Sequence, residues 1–579
     1  MLSGIIVSKG IVIGKSLIIE ESSILIKNKK INKKQVEKEI NKFYLSRKNS
    51  VSQLKKIKNS RENDLKKESK EILNGHIMLL MDEELEKEIT NTIKEKLVTS
   101  EKAIYKVINK QIKNIEKIKN KYLKERAIDI NDIGKRLIKN VLNINPIKNI
   151  KKNNENFILI KKELTPSDIL QFKKNKILGL ITDIGSYNSH VSIIARSLSI
   201  PAIVGTNVIT KYAKNNDTIL LDAINNEIHI NPKKKEIIKI KKIKKNYKKN
   251  KEKLEKIRLL PAITLDKFKF KIFANINNEY DLDNIKKNEI DGIGLYRTEY
   301  LFMNRNSLPD EEEQFNSYKK IVKSMKDKVV IIRTIDVGGD KKTNCIKIPK
   351  EDNPFLGWRG IRVCLDKKNI LYTQLRAILR ASIFGNVKIL YPMITSIEEI
   401  KLLKIELEIA KNSLYKEKIP FKKNIKIGIM IETPSSAILA EYLIKEVDFF
   451  SIGTNDLIQY TLAVDRGNKM VSKLYNPLSL SVLLLIKKVI DSSHFFNKKI
   501  EMCGELAGDE NFTAILIGMG LDIFSMSLSC IPKIKRIIRN IRLKEAKILF
   551  NQIISKKYHK DIFKEIKNFN KMIKYNDKI

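Results

Sequence analysis

From about residue 261 to residue 579 the chain repeats one unit, a short β-like run followed in most cases by a helix-patterned stretch. Eight runs stand out: FKIFANI (270–276), GIGLYR (292–297), VVIIRTID (329–336), VKILYPMI (387–394), IKIGIMIE (425–432), VDFFSIGTND (447–456), KIEMCGE (499–505) and GLDIFSMS (520–527). Eight parallel strands joined by crossover helices over about 300 residues predict a (β/α)8 barrel, whose chemistry collects at the C-terminal ends of its strands. Arg297, Arg333, Glu432, Asn455, Asp456 and Cys503 each lie at or near the end of a run. One such residue is coincidence; six at equivalent places are hard to explain as surface decoration.

Glu432 (in IMIETPSS) and Asp456 (in SIGTNDLIQYTLAVDR) are hard oxygen donors at adjacent strand ends. Two carboxylates completed by substrate oxygens are the usual setting for Mg2+, although this pair alone would read as exposed strand-end acids. Arg297, Arg333 and Arg466 are expected to converge on the same face, where their planar forks suit phosphate or carboxylate. Three such cations around a metal suggest a small, multiply anionic substrate. Arg359, in NPFLGWRGIR beside the only tryptophan, Trp358, fits a site or a packing role equally. Cys503, in EMCGELAGD, offers a thiol for proton transfer or nucleophilic attack. The alternative, a small buried hydrophobe, is the reading given to Cys345, Cys364 and Cys530.

The first half is built differently. Residues 1–20 read as strands. From Lys33 to Asn145 glycine is nearly absent and proline is absent, and apolar residues recur at helical spacing. Val36, Ile40, Phe43, Val51, Leu54 and Ile57 form one stripe, and Leu85, Ile89, Ile93 and Leu97 a second. Ile104, Val107, Ile108, Ile115 and Ile118 form a third, with Ser100 as its expected N-cap. An all-helical module of antiparallel hairpins follows. Between Asn156 and Pro232 the runs FILI, KILGLIT, AIVG, TILLDA and EIHI alternate with helix-like segments, a small α/β domain that can enclose the first strands and leave the helical module as an insertion. Lys233 to Leu260, rich in lysine, reads as a helical linker able to span roughly 40 Å. His190 follows a glycine-containing loop and opens an apolar helix, where a neutral imidazole can act as a nucleophile. His76, His229, His494 and His559 lack such a setting and read as structural.

Composition narrows the partners. A net charge of +46 invites a nucleic-acid reading. The lysines, however, are spread along the whole length, aromatics are 7%, and no zinc-finger or RNP-like pattern accompanies them. A basic bias over solvated faces is favoured, with no nucleic acid expected. Four scattered cysteines without a CxxC pair, no run of about 18 apolar residues and no signal-like start predict a cytoplasmic enzyme without a membrane span.

The stretches GHIMLLMDEELE, YLKERAIDINDIGKRL, ARSLSIPAIVGT, GIGLYRTEYLFM, NPFLGWR, SIGTNDLIQYTLAVDRGN and EMCGELAGD together resemble Enzyme I of the bacterial phosphoenolpyruvate-dependent sugar phosphotransferase system, over essentially the whole chain. The resemblance implies phosphorylation of His190, Mg2+ on Glu432 and Asp456, and a substrate gripped by Arg297, Arg333, Asn455, Asp456 and Arg466. It implies that Cys503 protonates the enolate to release pyruvate. It further implies a phosphohistidine domain (1–20 and 147–232), a helical domain for the carrier protein HPr (21–146), a linker (233–260) that lets His190 swivel, and a barrel (261–579) that binds phosphoenolpyruvate and forms a homodimer. The histidine loop departs from the family at Ser186, Asn188 and Val191. A dikinase or phosphoenolpyruvate synthase would share the histidine domain and the barrel, but needs an ATP-binding domain for which no glycine-rich loop is found.

Overall fold

The computed structural model describes residues 2–19, 30–60, 67–116, 121–144, 156–164, 168–169, 176–186, 189–198, 200–303, 305–339, 341, 343–468 and 470–576. The chain forms two compact units, Met1–Tyr247 and Lys248–Ile579.

The first unit contains a seven-stranded sheet made of β1 (Ile5–Ser8), β2 (Ile11–Ile18), β3 (Phe157–Lys161), β4 (Ile177–Thr182), β5 (Ala202–Val204), β6 (Thr218–Asp222) and β7 (Glu227–Ile230), in the order β1-β5-β4-β3-β2-β6-β7. β2 pairs in parallel with β3 from Lys15↔Phe157 to Ile18↔Ile160, although about 140 residues of sequence separate them. Helices α1 (Val36–Ser60), α2 (Lys67–Leu80), α3 (Glu83–Lys96), α4 (Ser100–Glu116) and α5 (Lys121–Val141) occupy that interval, so the helical module is an insertion in the α/β domain, as expected. Its stripes are its core: Phe43, Leu54, Leu85, Ile89, Ile93, Ile104, Val107 and Ile108 are buried, with Ile40 and Val51 packed against them. The side chains of Ile57 and Ile118 lie outside the described residues.

Ser100 departs from its expected capping role. It is the first residue of α4, and its hydroxyl donates to the Glu39 backbone carbonyl at 2.6 Å, tying α4 to α1. A tertiary partner takes the hydroxyl that local sequence would assign to the helix end. His76 is buried with Nε2 3.1 Å from an Asp129 oxygen. Helix α6 (His190–Ser197) follows β4, and one glycine- and proline-free helix, α7 (Lys234–Ile257), follows β7.

The second unit is a closed parallel barrel. Its strands are β8 (Lys271–Ile276), β9 (Gly292–Arg297), β10 (Val329–Arg333), β11 (Asn386–Tyr391), β12 (Lys426–Ile431), β13 (Phe449–Ile452), β14 (Ile500–Met502) and β15 (Ile523–Ser527). Phe273, Leu295, Ile331, Leu390, Met430 and Phe449 from the strands pack with Cys503, just past β14, as one cluster, while a larger cluster joins the strands to the surrounding helices. Burial on both faces explains why the strands read as nearly continuous apolar runs. Several runs overshoot their strands. VDFFSIGTND is strand only over Phe449–Ile452, and Thr454–Leu462 is helix α8, so Asn455 and Asp456 sit in a helical first turn, where an acid is favoured. Among the described residues no helix is long and apolar enough to cross a membrane.

Candidate active site

The chain turns sharply where β12 ends. Thr433 caps the helix Pro434–Ile438, its hydroxyl accepting from the Ser436 N–H at 3.1 Å and donating to the Ile394 carbonyl at 3.0 Å. Proline at the first helical position suits this turn. Glu432 is thereby held just past the strand, buried, with one oxygen accepting from the Met393 N–H at 2.6 Å. Burial, then the charges of Asp456 and Asp336, push its carboxyl up to about 8.

Arg359 fills the space beside it and is wholly buried. Its guanidinium grips both oxygens of Asp456 at 3.1 Å and both of Asp336 at 3.1 and 3.3 Å. Asp336 also meets Lys341, and Arg333 at 3.2 Å, while Arg333 pairs with Glu299. Burial alone would raise the Asp336 carboxyl, but Lys341, Arg359 and Arg333 outweigh it and hold it well below the carboxylate range. The result is one buried network, Glu299–Arg333–Asp336–Arg359–Asp456, with Lys341 at its edge and Glu432 beside it. The packing alternative weighed for Arg359 is therefore too weak.

Arg297, Asn455 and Arg466 are less buried. Arg297 ends β9 and reaches Asn277 Oδ1 at 3.4 Å. Asn455 accepts from the Glu505 N–H at 3.0 Å and donates to its carboxylate at 3.2 Å, so α8 is fastened to the segment after β14. Arg466 lies past α8, its N–H donating to Gln459 at 3.2 Å and its charge acting on Tyr475. Cys503 directly follows β14 and is buried; burial, then the charge of Glu501, push its thiol up to about 12. A thiol so shifted stays protonated at neutral pH, as a proton donor must. Cys364 is buried as expected, but Cys345 and Cys530 are only partly so, held by polar contacts to Thr343 and Ser527.

Arg333 and Asp456 are thus joined through Arg359, with Glu432 beside them, in a network whose further members, Glu299, Asp336 and Lys341, sequence reasoning did not single out. Asp336 stood at the end of the VVIIRTID run, and Glu299 two residues past Arg297. Glu432 and Asp456 form a donor set that fits a divalent cation. Both are buried, their charges repel, and Gly453 leaves open the space in front of Glu432, where a Cβ would come within 3.0 Å of Oε2. No cage of three or more His, Cys, Asp or Glu side chains occurs among the described residues, so substrate and water would supply the other ligands. His190 lies in the first unit; Ser189 caps its helix, accepting from the Ser192 N–H at 3.3 Å. Asn188 lies outside the described residues.

Families of PEP-utilising enzymes match three stretches: the PEP-binding domain 251–543, the N-terminal domain 3–126 and the mobile domain 153–226. The phosphoenolpyruvate-protein phosphotransferase of Buchnera aphidicola subsp. Schizaphis graminum is 54% identical over 571 residues, covering 98% of this chain and 100% of the relative. The chain belongs to the phosphoenolpyruvate-protein phosphotransferase family. The Haemophilus influenzae phosphoenolpyruvate-protein phosphotransferase is 48% identical, covering 98% of this chain and 99% of the relative. The activity is phosphoryl transfer from phosphoenolpyruvate to protein, and the dikinase and nucleic-acid readings are set aside.

Proposed function

We propose that this phosphotransferase moves the phosphoryl group of phosphoenolpyruvate onto His190 and then onto a histidine of the carrier HPr, the first step of the sugar phosphotransferase system. The observation that carries the reading is the buried network of Arg333, Asp336, Arg359 and Asp456 beside Glu432, placed where barrel strands end. Glu432 and Asp456 would hold Mg2+, which when bound neutralises charge on the substrate oxygens. Arg333 is locked by Glu299 and Asp336, so it presents a fixed cation with little ordering left to do on binding. Arg297, Asn455 and Arg466 complete the grip around the phosphate and carboxylate.

Phosphoryl transfer asks the protein for positioning and electrostatic stabilisation. The arginines hold the phosphate for in-line attack by the imidazole of His190, which a swivel about the α7 linker brings to the barrel. As the P–O bond breaks, the enolate of pyruvate takes a proton at carbon from the Cys503 thiol. Residues 21–146 dock HPr, the barrel forms a homodimer, and the enzyme works in the cytoplasm. Of the altered positions near His190, Val191 is buried and the Ser186 carbonyl accepts from the Ser192 hydroxyl at 2.6 Å.

Isotope-labelled phosphoenolpyruvate with the purified protein, followed by mapping of the labelled residue, tests the reading. Acid-labile, base-stable label at His190, abolished in a folded His190→Ala, is expected. Label retained in that variant overturns the assignment.

A further inference from the structure

Beneath Cys503 lies a carboxyl group that the mechanism above leaves without a task. Glu501 is fully buried on β14, two residues before Cys503 and so on the same face of the strand. Among the described residues neither of its oxygens meets a full hydrogen-bond geometry, and the Ser451 and Ser525 hydroxyls are the polar groups that act on it at close range. Its side chain crosses to β9, where Gly294 makes room for it: a Cβ on Gly294 would stand 2.3 Å from Glu501 Oε1 and 2.4 Å from Ser525 Oγ. Burial without a cation in contact makes this group costly to ionise, so it stands at neutral pH as a carboxylic acid that holds its proton.

Two hydroxyls flank it. Ser525 is already committed, donating to Asn275 Oδ1 at 2.6 Å while Asn275 donates to the Cys503 carbonyl at 2.9 Å. Ser451, opposite Glu501 in the β13–β14 register, has no hydrogen-bond partner outside this pair of acids among the described residues. It nevertheless lies beside both acids, since its hydroxyl favours the charged form of the Glu501 carboxyl and of the Cys503 thiol alike. Its proton is therefore free to shuttle between them. Lys388 on β11 is the cation whose charge acts on Glu501, but its ammonium sits over the Phe449 ring, 4.8 Å from the centroid.

We propose that Glu501 is an internal proton store for Cys503, connected to it through the Ser451 hydroxyl and acting as a positioning residue for pyruvate release. The proposal rests on the reading of Cys503 as the proton donor. When the enolate carbon takes the thiol proton, the S–H electron pair stays on sulfur. The Ser451 proton then passes to the thiolate as the Glu501 proton passes to Ser451, leaving a carboxylate that water recharges. The direction is downhill, because burial holds the Glu501 carboxyl at about 8 and the Cys503 thiol at about 12. At neutral pH the store is filled.

Glu501→Gln keeps the volume and removes the proton; Ser451→Ala removes only the bridge. In full-length protein both should bind Mg2+ and phosphoenolpyruvate as wild type does. Pyruvate formation should fall on the order of tenfold or more at unchanged KM. In Glu501→Gln the pH midpoint for alkylation of Cys503 should also move down, since a negative neighbour is gone, which checks that the two groups remain adjacent; the store itself is read from the pH profile of pyruvate formation, whose fall near pH 8 in wild type should be absent in Glu501→Gln, whereas a merely packed Glu501 would leave the profile unchanged. Wild-type turnover in Glu501→Gln, or an unchanged pH profile, overturns the proton store. If Cys503→Ala itself turns over normally, the donor assignment fails instead, whatever Glu501→Gln does.

Discussion

Replacing Arg359 by methionine tests whether the buried network organises the site. The guanidinium holds Asp336 and Asp456, both buried, at 3.1 Å or slightly more. At an effective dielectric near 20, one contact at that distance is worth about 5 kcal/mol of Coulomb energy, offset by several kcal/mol of desolvation for each ion. Removing the shared partner leaves two buried carboxylates beside a third, Glu432, and the expected net loss is about 3–5 kcal/mol. Trp358, the only tryptophan, adjoins the substitution, so its emission during denaturant unfolding of the full chain reports the barrel alone. The pH dependence has a definite sign. Asp336 is held below its unfolded value, so its contribution is present above about pH 4 and is lost as pH falls through its folded value. In Arg359→Met Asp336 keeps Lys341 and Arg333 but loses one of its three cations, so its share of the gap to wild type should be widest at neutral pH and narrow toward pH 4. Arg359→Lys should rescue only partly, because one ammonium cannot span four oxygens in a plane. A variant within about 1 kcal/mol of wild type at pH 7.5, with no narrowing in acid, would refute the reasoning.

Glu432→Gln and Asp456→Asn should each raise the Mg2+ concentration needed for half-maximal activity sharply, and unchanged titrations in both would place the metal elsewhere. Cys503→Ala should bind Mg2+ and substrate normally while pyruvate formation falls about 10²–10⁴-fold, the usual cost of a lost general acid. Alkylation of Cys503 should be slow at pH 8 and speed up toward high pH, because burial pushes the thiol up to about 12; rapid modification at pH 7 would contradict that setting. Residues 1–250, which contain a complete sheet and their own apolar clusters, should fold without the barrel and accept phosphate back from phosphorylated HPr. Direct labelling of that fragment by phosphoenolpyruvate would contradict the proposed division of labour.

What the sequence carried and what it hid follow from the range of the interactions involved. Periodicity is local, so the eight barrel strands and the stripe Leu85–Ile89–Ile93 were legible, as was the return of the chain from the helical module to FILI. Strand ends were less so. Asn455 and Asp456 look like the tail of an apolar run until Gly453 breaks the strand and a helix begins, which changes the direction in which both residues leave the backbone. The partners of a charge were the least legible, because they come from across the barrel. Asp336 and Asp456 are 120 positions apart and meet on one guanidinium; Glu501 and Gly294 are more than 200 apart and share one space. A local reading could rank Arg359 no higher than a packing residue, because nothing within a turn of it explains a buried cation. The pattern also explains how the site works. Of the residues assigned to contact substrate, Arg297, Asn455 and Arg466 are partly exposed, whereas Arg333 is fixed, with Asp336 and Arg359, before any substrate arrives. A rigid charged floor under a more open rim lets the barrel spend little of its binding energy on its own ordering, which leaves that energy for the transferring phosphate.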